Sequence, residues 1–275
     1  MILDQRSAFS SYVTRLLSYG QVVFTRAQAQ EALGISKGAV LDAAEKLQKR
    51  GHLISPRRGF YVIVPPQYLA WGAPPTSWYI DALMRHEGRP YYIGLLKAAE
   101  LHGATHQAVM EFQVVTDKQL RRIRAGRAAL AFYYRKDMDV VAAGIEDHKT
   151  DTGRMKVSCV ELTMLDLLRY PHASGGLDHI VTVLSDLAER VDAEKLAALC
   201  GAFERSVAQR LGHLLCRLGY EGSTNTLRDA VLQGPDLPWV ELEPAQADAA
   251  GLSPPPAERD ERWRVRVRRV PESDA

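Results

Sequence analysis

The stretch from residue 25 to residue 64 constrains the fold more than any other part of the chain. Thr25 precedes a short run with an apolar stripe and is followed three residues later by Gln28, the pattern of a helix capping box. Gly34 is the residue type that a left-handed turn favours, and Ser36 is a good cap for a second helix. Two helices joined by so short a turn predict a helix-turn-helix.

A further helix and a hairpin flank this motif. Before it, five apolar residues recur at helical spacing, namely Phe9, Tyr12, Val13, Leu16 and Leu17. After it, Leu53–Ser55 and Phe60–Val64 have the composition of strands, and the Pro-Arg-Arg-Gly segment between them is rich in turn residues. The sequence therefore predicts a winged helix-turn-helix domain over residues 1–70, with two arginines at the tip of the wing.

The predicted motif has the residues that DNA recognition needs. In such domains the first turn of the second motif helix enters the major groove, where hydroxyl, ammonium and apolar groups meet phosphates, base edges and thymine methyls. Residues 1–70 contain nine basic and four acidic residues, an excess of five positive charges. We expect DNA contacts from Arg26, Ser36, Lys37, Gly38, Leu41, Arg57 and Arg58. The alternative is a winged helix that docks proteins.

The remainder of the chain predicts a helix-rich α+β domain over residues 76–275, beyond a linker rich in proline and glycine. Strands are predicted at Glu111–Thr116, Leu130–Tyr134, Val140–Ala143 and Met155–Val157. Helices are predicted at Ser77–His86, Tyr92–Leu101, Leu162–Leu168 with a capping box from Ser158 to Glu161, Leu177–Arg190, Ala193–Cys200 and Ser206–Leu218. Residues 220–275 read as an extension with two strands, Trp239–Leu242 and Trp263–Val267, the second with strict alternation.

A basic segment lies inside this second domain. Between Lys118 and Lys136 there are seven basic residues and no acidic residue. Such a run binds a polyanion or a partner, or is simply a solvated face. The candidates for a nucleic-acid or partner surface are Arg121, Arg122, Arg124 and Arg127.

Catalytic and metal signatures are weak, so we predict a protein that is not an enzyme and holds no metal or cofactor. His102 and His106 are four residues apart but lack the glutamate of HExxH. Asp147, Asp151 and Lys156 have the residue types of a nuclease centre, although turn chemistry alone accounts for Asp151. A DNA-targeted metal-dependent nuclease and a ligand-sensing regulator therefore stay open as alternatives.

The chain has neither a signal peptide pattern nor an apolar run long enough to span a bilayer. Its cysteines, three in number and widely spaced, suit free thiols in a reducing compartment. We therefore expect a cytoplasmic protein with no membrane partner.

Three segments of packing residues, Tyr91–Gly103, Gly153–Leu168 and Arg210–Leu215, resemble the AbiEi family of antitoxins from type IV toxin–antitoxin (abortive infection) systems. The resemblance covers about residues 8–220. It implies a winged helix that binds inverted repeats in the promoter of its own operon and represses it. It also implies a C-terminal domain that counters a nucleotidyltransferase-like toxin, usually without a stable complex. We expect a monomer in solution or a dimer on DNA, since one winged helix covers a small footprint.

Overall fold

The computed structural model describes residues 2–104, 109–232, 237–243 and 256–272. These residues form two compact units. The first comprises residues 1–92, 110–136 and 147–156, and the second comprises residues 93–109, 137–146 and 157–275. Helices and strands occur in both, so the predicted α+β class is confirmed. No described helix has both the length and the apolarity needed to cross a membrane.

The first unit begins with three helices and a small antiparallel sheet. The elements are α1 (Ile2–Ser18), β1 (Val23–Thr25), α2 (Arg26–Leu33), α3 (Lys37–Lys49), β2 (Leu53–Arg57) and β3 (Phe60–Ile63). The strands lie in the order β1-β3-β2. Apolar faces of all these elements meet in one core that includes Phe9, Phe24 and Val40. The first strand was not predicted, because three residues are too short to show alternation.

Two 3-10 helices and several strands follow, and most of their residues belong to the same unit. The 3-10 helices are Pro66–Trp71 and Thr76–Trp78, and α4 (Ile80–Glu87) follows them. The strands are β4 (Tyr91–Ile93), β5 (Glu111–Thr116), β6 (Ile123–Ala125), β7 (Ala128–Tyr134), β8 (Ile145–Thr150) and β9 (Gly153–Ser158), in a sheet of order β6-β7-β5-β4-β9-β8. β5 runs parallel to β7, and β6 runs antiparallel to it. The segment predicted to be a linker, residues 65–75, lies within this unit.

Three expectations for this region are wrong. Tyr91–Ile93 form a buried strand that pairs with β9, so the predicted helix from Tyr92 begins only at Leu95. Residues 139–144 form a 3-10 helix in place of the predicted strand. The cap before Leu162 is the Cys159 thiol, while Ser158 Oγ lies 2.6 Å from Thr163 Oγ1. In the first case strand pairing overrides the local pattern.

The second unit is mainly helical. Its helices are α5 (Leu95–Leu101), α6 (Val160–Arg169), α7 (Leu177–Ala188), α8 (Ala193–Cys200), α9 (Arg205–Arg217) and α10 (Glu221–Leu232), with 3-10 helices at Asp139–Gly144 and Pro171–Ser174. A three-stranded sheet of order β10-β12-β11 consists of β10 (Val240–Glu241), β11 (Glu258–Asp260) and β12 (Val265–Val267). Helix α6 is buried along almost its whole length and forms the centre of this unit.

Among the described residues after position 220, α10 and the strands β10 and β12 pack on α9. Trp263 is fully buried, and its carbonyl accepts a hydrogen bond of 2.9 Å from Gln209 Nε2. His213 Nδ1 lies 2.6 Å from a carboxylate oxygen of Asp260. Gly212 provides the room for the indole ring, since a side chain there would overlap it. The predicted alternation of burial at Trp263, Val265 and Val267 is confirmed. The predicted strand begins only at Val265, however, because Trp263 and Arg264 lie in a turn in which Arg264 has φ of 54°.

Candidate nucleic-acid interface

The junction between α2 and α3 is built as its residues predict. Thr25 Oγ1 accepts a hydrogen bond of 3.2 Å from the Gln28 N–H, and the Thr25 N–H donates to Gln28 Oε1 at 2.7 Å, so the capping box is complete. Gly34 ends α2 with φ of 62°, in the left-handed region. Ser36 Oγ accepts from the Ala39 N–H and begins α3. The direction of α3 is therefore set by short-range contacts at both sides of one turn.

The first turn of α3 leaves its side chains in solvent. Ser36, Lys37 and Gly38 are exposed, and so is 42% of Leu41, a large exposure for an apolar side chain. A Cβ added at Gly38 would meet only Ser36 Oγ, at 3.9 Å. This turn is therefore a small, open surface that another molecule can approach closely.

Arg26 lies beside the turn between β2 and β3. Its backbone N–H donates to the Gly59 carbonyl at 2.8 Å, and its guanidinium carbon lies 3.8 Å from where a Cβ on Gly59 would be. Burial raises the pKa of Tyr61, and the nearby positive charge of Arg26 acts in the opposite direction. Arg58 in this turn is exposed. Arg26 and Arg58 thus place two cations at one end of the small sheet.

Arg57 is placed differently from the expectation of two arginines at the tip. It belongs to β2, opposite Phe60, and its side chain is only 21% exposed. Its Nε lies 2.9 Å from Glu87 Oε1, and its Nη2 donates to the Arg121 carbonyl at 2.8 Å. Its Cζ lies 5.5 Å from the centre of the Phe132 ring. The Arg57 guanidinium is therefore hydrogen-bonded to, and packed against, residues of its own unit.

The predicted basic segment forms an antiparallel hairpin, which we call the basic hairpin (residues 121–134). Arg121 and Arg124 are exposed and form no ion pair with a described residue. Arg122 pairs with Glu111, and the Arg127 guanidinium lies 5.5 Å from the centre of the Trp71 ring. Of the four predicted arginines, Arg121 and Arg124 thus have exposed side chains without an ion pair to a described residue. Arg122 and Arg127 instead contact Glu111 and Trp71.

The acidic residues proposed for catalysis have structural contacts. Asp147 lies 3.4 Å from Lys156 Nζ, and Asp151 accepts a hydrogen bond of 2.9 Å from the Trp78 indole. His102 Nε2 lies 2.7 Å from the Ser158 carbonyl, while His106 lies outside the described residues. In the described part of the chain no three histidine, cysteine or acidic side chains are grouped as metal ligands. These contacts account for the aspartates without catalysis.

The two buried thiols are poor nucleophiles. Burial raises the pKa of Cys159 to about 12, and the Leu162 N–H, donated to its sulfur, acts against that shift. Burial likewise raises the pKa of Cys200. Since the thiolate is the reactive form, burial disfavours nucleophilic reaction at both thiols.

A solved structure with the same fold exists. The crystal structure of the RV2827C protein from Mycobacterium tuberculosis matches 94% of this chain and 90% of that chain, with a TM-score of 0.65 and 15% sequence identity. At that identity the similarity concerns the fold alone. No curated protein matches the sequence.

A family model matches part of the chain. Residues 92–217 match the model of the AbiEi antitoxin C-terminal domain. This part of the chain is therefore similar to that domain, and we call residues 92–217 the AbiEi domain. The resemblance of the three packing segments to AbiEi antitoxins is thus confirmed, and the AbiEi match includes the basic hairpin. It ends before α10 and does not extend to the three N-terminal helices.

Sequence reasoning missed the partners of the β2–β3 turn. Glu87 and His86, at the end of α4, contact Arg57 and the Arg58 carbonyl, the latter at 3.2 Å. The His86 ring also lies 5.3 Å from the Phe60 ring, centre to centre. Nothing in the local pattern of α4 marks these residues, because their partners are about thirty positions away. The AbiEi domain itself supplies Arg121, the third partner of this turn.

Proposed function

We propose that this chain is a type IV antitoxin that also represses its own operon. Its N-terminal elements act as a winged helix-turn-helix that binds inverted repeats in promoter DNA. Its AbiEi domain counters a nucleotidyltransferase-like toxin encoded with it. Both activities are binding activities in the cytoplasm, and neither requires a metal or an organic cofactor.

The DNA-binding half of the proposed function rests on the first turn of α3. It follows a short, correctly capped turn, and it presents Lys37, a bare Gly38 and the exposed Leu41. An ammonium group suits a phosphate or a guanine edge, an apolar side chain suits a thymine methyl, and glycine permits close approach. An ordinary surface helix has no need of an exposed leucine beside a glycine in its first turn.

Arg26 and Arg58 extend this surface at the end of the small sheet, where the wing of such a domain meets the phosphate backbone. Recognition by one short helix and a turn covers only part of an operator. Two copies of the chain, monomeric in solution, therefore occupy the two halves of an inverted repeat on DNA.

The antitoxin half rests on the AbiEi match over residues 92–217. Antitoxins of this type act against the effect of a toxin, so the AbiEi domain counters the toxin without a stable complex between the two proteins. Arg121 and Arg124 are its open cationic side chains in the basic hairpin.

The DNA-binding half is tested with Gly38→Leu in the full chain. Leucine has a higher helix propensity than glycine and the position is open, so the melting temperature should not fall. The branched side chain should nevertheless keep α3 out of the major groove. One good base contact is worth about 1–3 kcal/mol, so affinity for the duplex upstream of its own gene should fall about 5-fold to 150-fold.

The matched control is Gly222→Leu, because Gly222 is also the second residue of a helix and also has open space around it. This control should bind the upstream duplex as the wild type does in fluorescence anisotropy. Equal affinities for upstream and scrambled duplexes in the wild type would reject the repressor function. Selective wild-type binding that Gly38→Leu leaves unchanged would reject the role of α3.

The antitoxin half is tested by growth. A nucleotidyltransferase-like protein encoded next to this gene is expressed with and without this chain, and growth should be arrested only in its absence. The Gly38→Leu variant should still restore growth when it is supplied from an independent promoter. Failure of the wild type to restore growth would refute the antitoxin function.

A further inference from the structure

A polar cavity of about 270 Å³ lies within the first unit. One wall consists of residues 20–23, before and within β1, together with Gln28 of α2. The other wall consists of Trp78, three residues of α4 and residues at the turn between β8 and β9. Its described lining includes no residue of the basic hairpin or of the first turn of α3. Pockets for small molecules typically measure about 300–1,000 Å³, so this cavity suits a small metabolite.

The wall that contains Trp78 is held in place without a ligand. Trp78 Nε1 donates to Asp151 Oδ2 at 2.9 Å, and Thr152 Oγ1 donates to the Trp78 carbonyl at 2.9 Å. Because its only side-chain donor is engaged, Trp78 can offer a ligand only its ring. Aromatic rings supply a large apolar contact surface, which suits the C–H face of a sugar ring.

The wall that contains Gln28 offers an amide donor. Gln28 Oε1 accepts the Thr25 N–H at 2.7 Å as part of the capping box, so the oxygen is engaged. Gln28 Nε2 has no hydrogen-bond partner among the described residues. In the described part of the chain no hydrogen bond or ion pair joins this wall to the wall with Trp78. The open polar groups of the cavity are therefore available to a ligand.

Two arginines with free donors line the cavity. The Arg85 side chain is 76% exposed and that of Arg154 is 63% exposed. Arg85 Nε donates to Asp81 Oδ2 at 3.0 Å, and the other oxygen of Asp81 accepts the Tyr91 hydroxyl at 3.0 Å, so the terminal nitrogens of Arg85 stay free. Arg154 Nη1 lies 3.9 Å from Asp147, beyond hydrogen-bonding distance. The charged lining residues are these two arginines and Asp81, which leaves an excess of positive charge.

We propose that this cavity binds a small sugar phosphate, either free or as part of a nucleotide. Phosphate oxygens accept the free N–H groups of Arg85 and Arg154, since guanidinium groups present paired donors to phosphate. Sugar hydroxyls accept from Gln28 Nε2, and the C–H face of the sugar packs on Trp78. The excess positive charge favours a phosphate over a neutral sugar. This site goes beyond the proposed function, because its occupation requires neither DNA nor a toxin.

The first test is isothermal titration calorimetry of the full chain with ribose 5-phosphate, glucose 6-phosphate and AMP. Inorganic phosphate and ribose are the reference compounds, and each can satisfy only part of the site. At least one sugar phosphate should bind more tightly than both references. Tighter binding of AMP would assign the ligand to nucleotides, and tighter binding of a free sugar phosphate would assign it to that class. Absence of binding by all three up to about 10 mM, or affinity no greater than that of inorganic phosphate, would overturn the proposal.

The role of the arginines is tested with Arg85→Ala/Arg154→Ala. An exposed ion pair is worth up to about fivefold in affinity, so loss of both arginines should weaken sugar phosphate binding by about 5-fold to 25-fold. The matched control is Arg89→Ala, which removes an arginine of the same unit that pairs with Asp117 and lies outside the cavity lining. The control should bind as the wild type does. Equal losses in both variants would show general charge attraction, and unchanged binding by the double variant would exclude the arginines; either result overturns the proposal.

The location of the sugar is tested with Ala82→Leu. Ala82 lies in α4 and lines the cavity, and leucine is also a good helix former, so the melting temperature should stay close to that of the wild type. The larger side chain should take the space of the sugar and abolish sugar phosphate binding while both arginines remain. Unchanged binding would overturn the assignment of the ligand to this cavity. If Ala82→Leu fails to fold, Arg85→Ala/Arg154→Ala still tests the site, because it changes only exposed side chains.

Discussion

The substitution Gly212→Ala tests how Trp263 and the sheet β10-β12-β11 pack against α9. Gly212 lies within α9, and the indole of Trp263 occupies the space where a side chain would be. A Cβ at this position would lie 2.5 Å from Trp263 Cε2, far inside the normal carbon–carbon separation of about 3.5–4.0 Å. The ring would have to move by more than about 1 Å to restore that separation.

Such a movement is opposed on several sides. Trp263 is fully buried, its Nε1–H donates to Cys216 Sγ at 3.3 Å, and its carbonyl accepts from Gln209. Overpacking costs about 1–3 kcal/mol, and a loosened hydrogen bond adds about 1 kcal/mol. The higher helix propensity of alanine offsets about 1 kcal/mol. The net loss of unfolding free energy should be about 1–3 kcal/mol.

The loss is measured by thermal unfolding of the full chain. At about 2–4 °C per kcal/mol, the melting temperature of the second unit should fall by about 2–12 °C. The control is Gly222→Ala in α10, where a Cβ meets no atom within 4 Å and the melting temperature should stay the same or rise slightly. A Gly212→Ala variant as stable as Gly222→Ala would falsify the packing of Trp263 on α9.

Two further predictions concern a turn and an ion pair. Gly126→Ala should destabilise the first unit, because Gly126 has φ of 59° and a Cβ there would lie 2.7 Å from the Gly72 carbonyl carbon. In chemical unfolding the variant should therefore have a lower midpoint denaturant concentration than the wild type. Asp178→Asn should destabilise the second unit by less than about 1 kcal/mol, because the ion pair with Arg269 is half exposed. The hydrogen bond from Arg269 lowers the pKa of Asp178 below its ordinary value. The stabilisation is therefore present above the unfolded pKa and is lost as pH falls through the folded pKa. Urea titrations of both proteins at several pH values should show the gap closing only below about pH 4, and a gap that persists at lower pH would contradict the assignment.

The helix ends that border the candidate interface are confirmed as predicted, because their geometry is local. The capping box at Thr25, the turn at Gly34 and the cap at Ser36 each depend on atoms within three or four residues. The exposure of Lys37 and Leu41 then follows from the 3.6-residue period of the helix. Arg57 shows the limit of this reasoning, because its partners Glu87 and Arg121 are 30 and 64 positions further along the chain.

The amino-acid sequence by itself determined the short-range features of this protein. It determined the ends of α2 and α3, the alternation around Trp263 and the packing segments by which the AbiEi domain was recognised. In each case the deciding contacts or spacings lie within one element or one turn, where residue type and position are sufficient.

Only the tertiary structure decided which arginine side chains are exposed and which are paired with other groups. Arg57 and Arg58 are neighbours of the same type, yet one is occupied by Glu87 and the Arg121 carbonyl and the other is exposed. Arg122 and Arg124 differ in the same way, since Glu111 lies beside only the first. Whether a long cationic side chain is paired or exposed depends on groups from distant segments of the chain. No local sequence pattern specifies which groups will lie beside it.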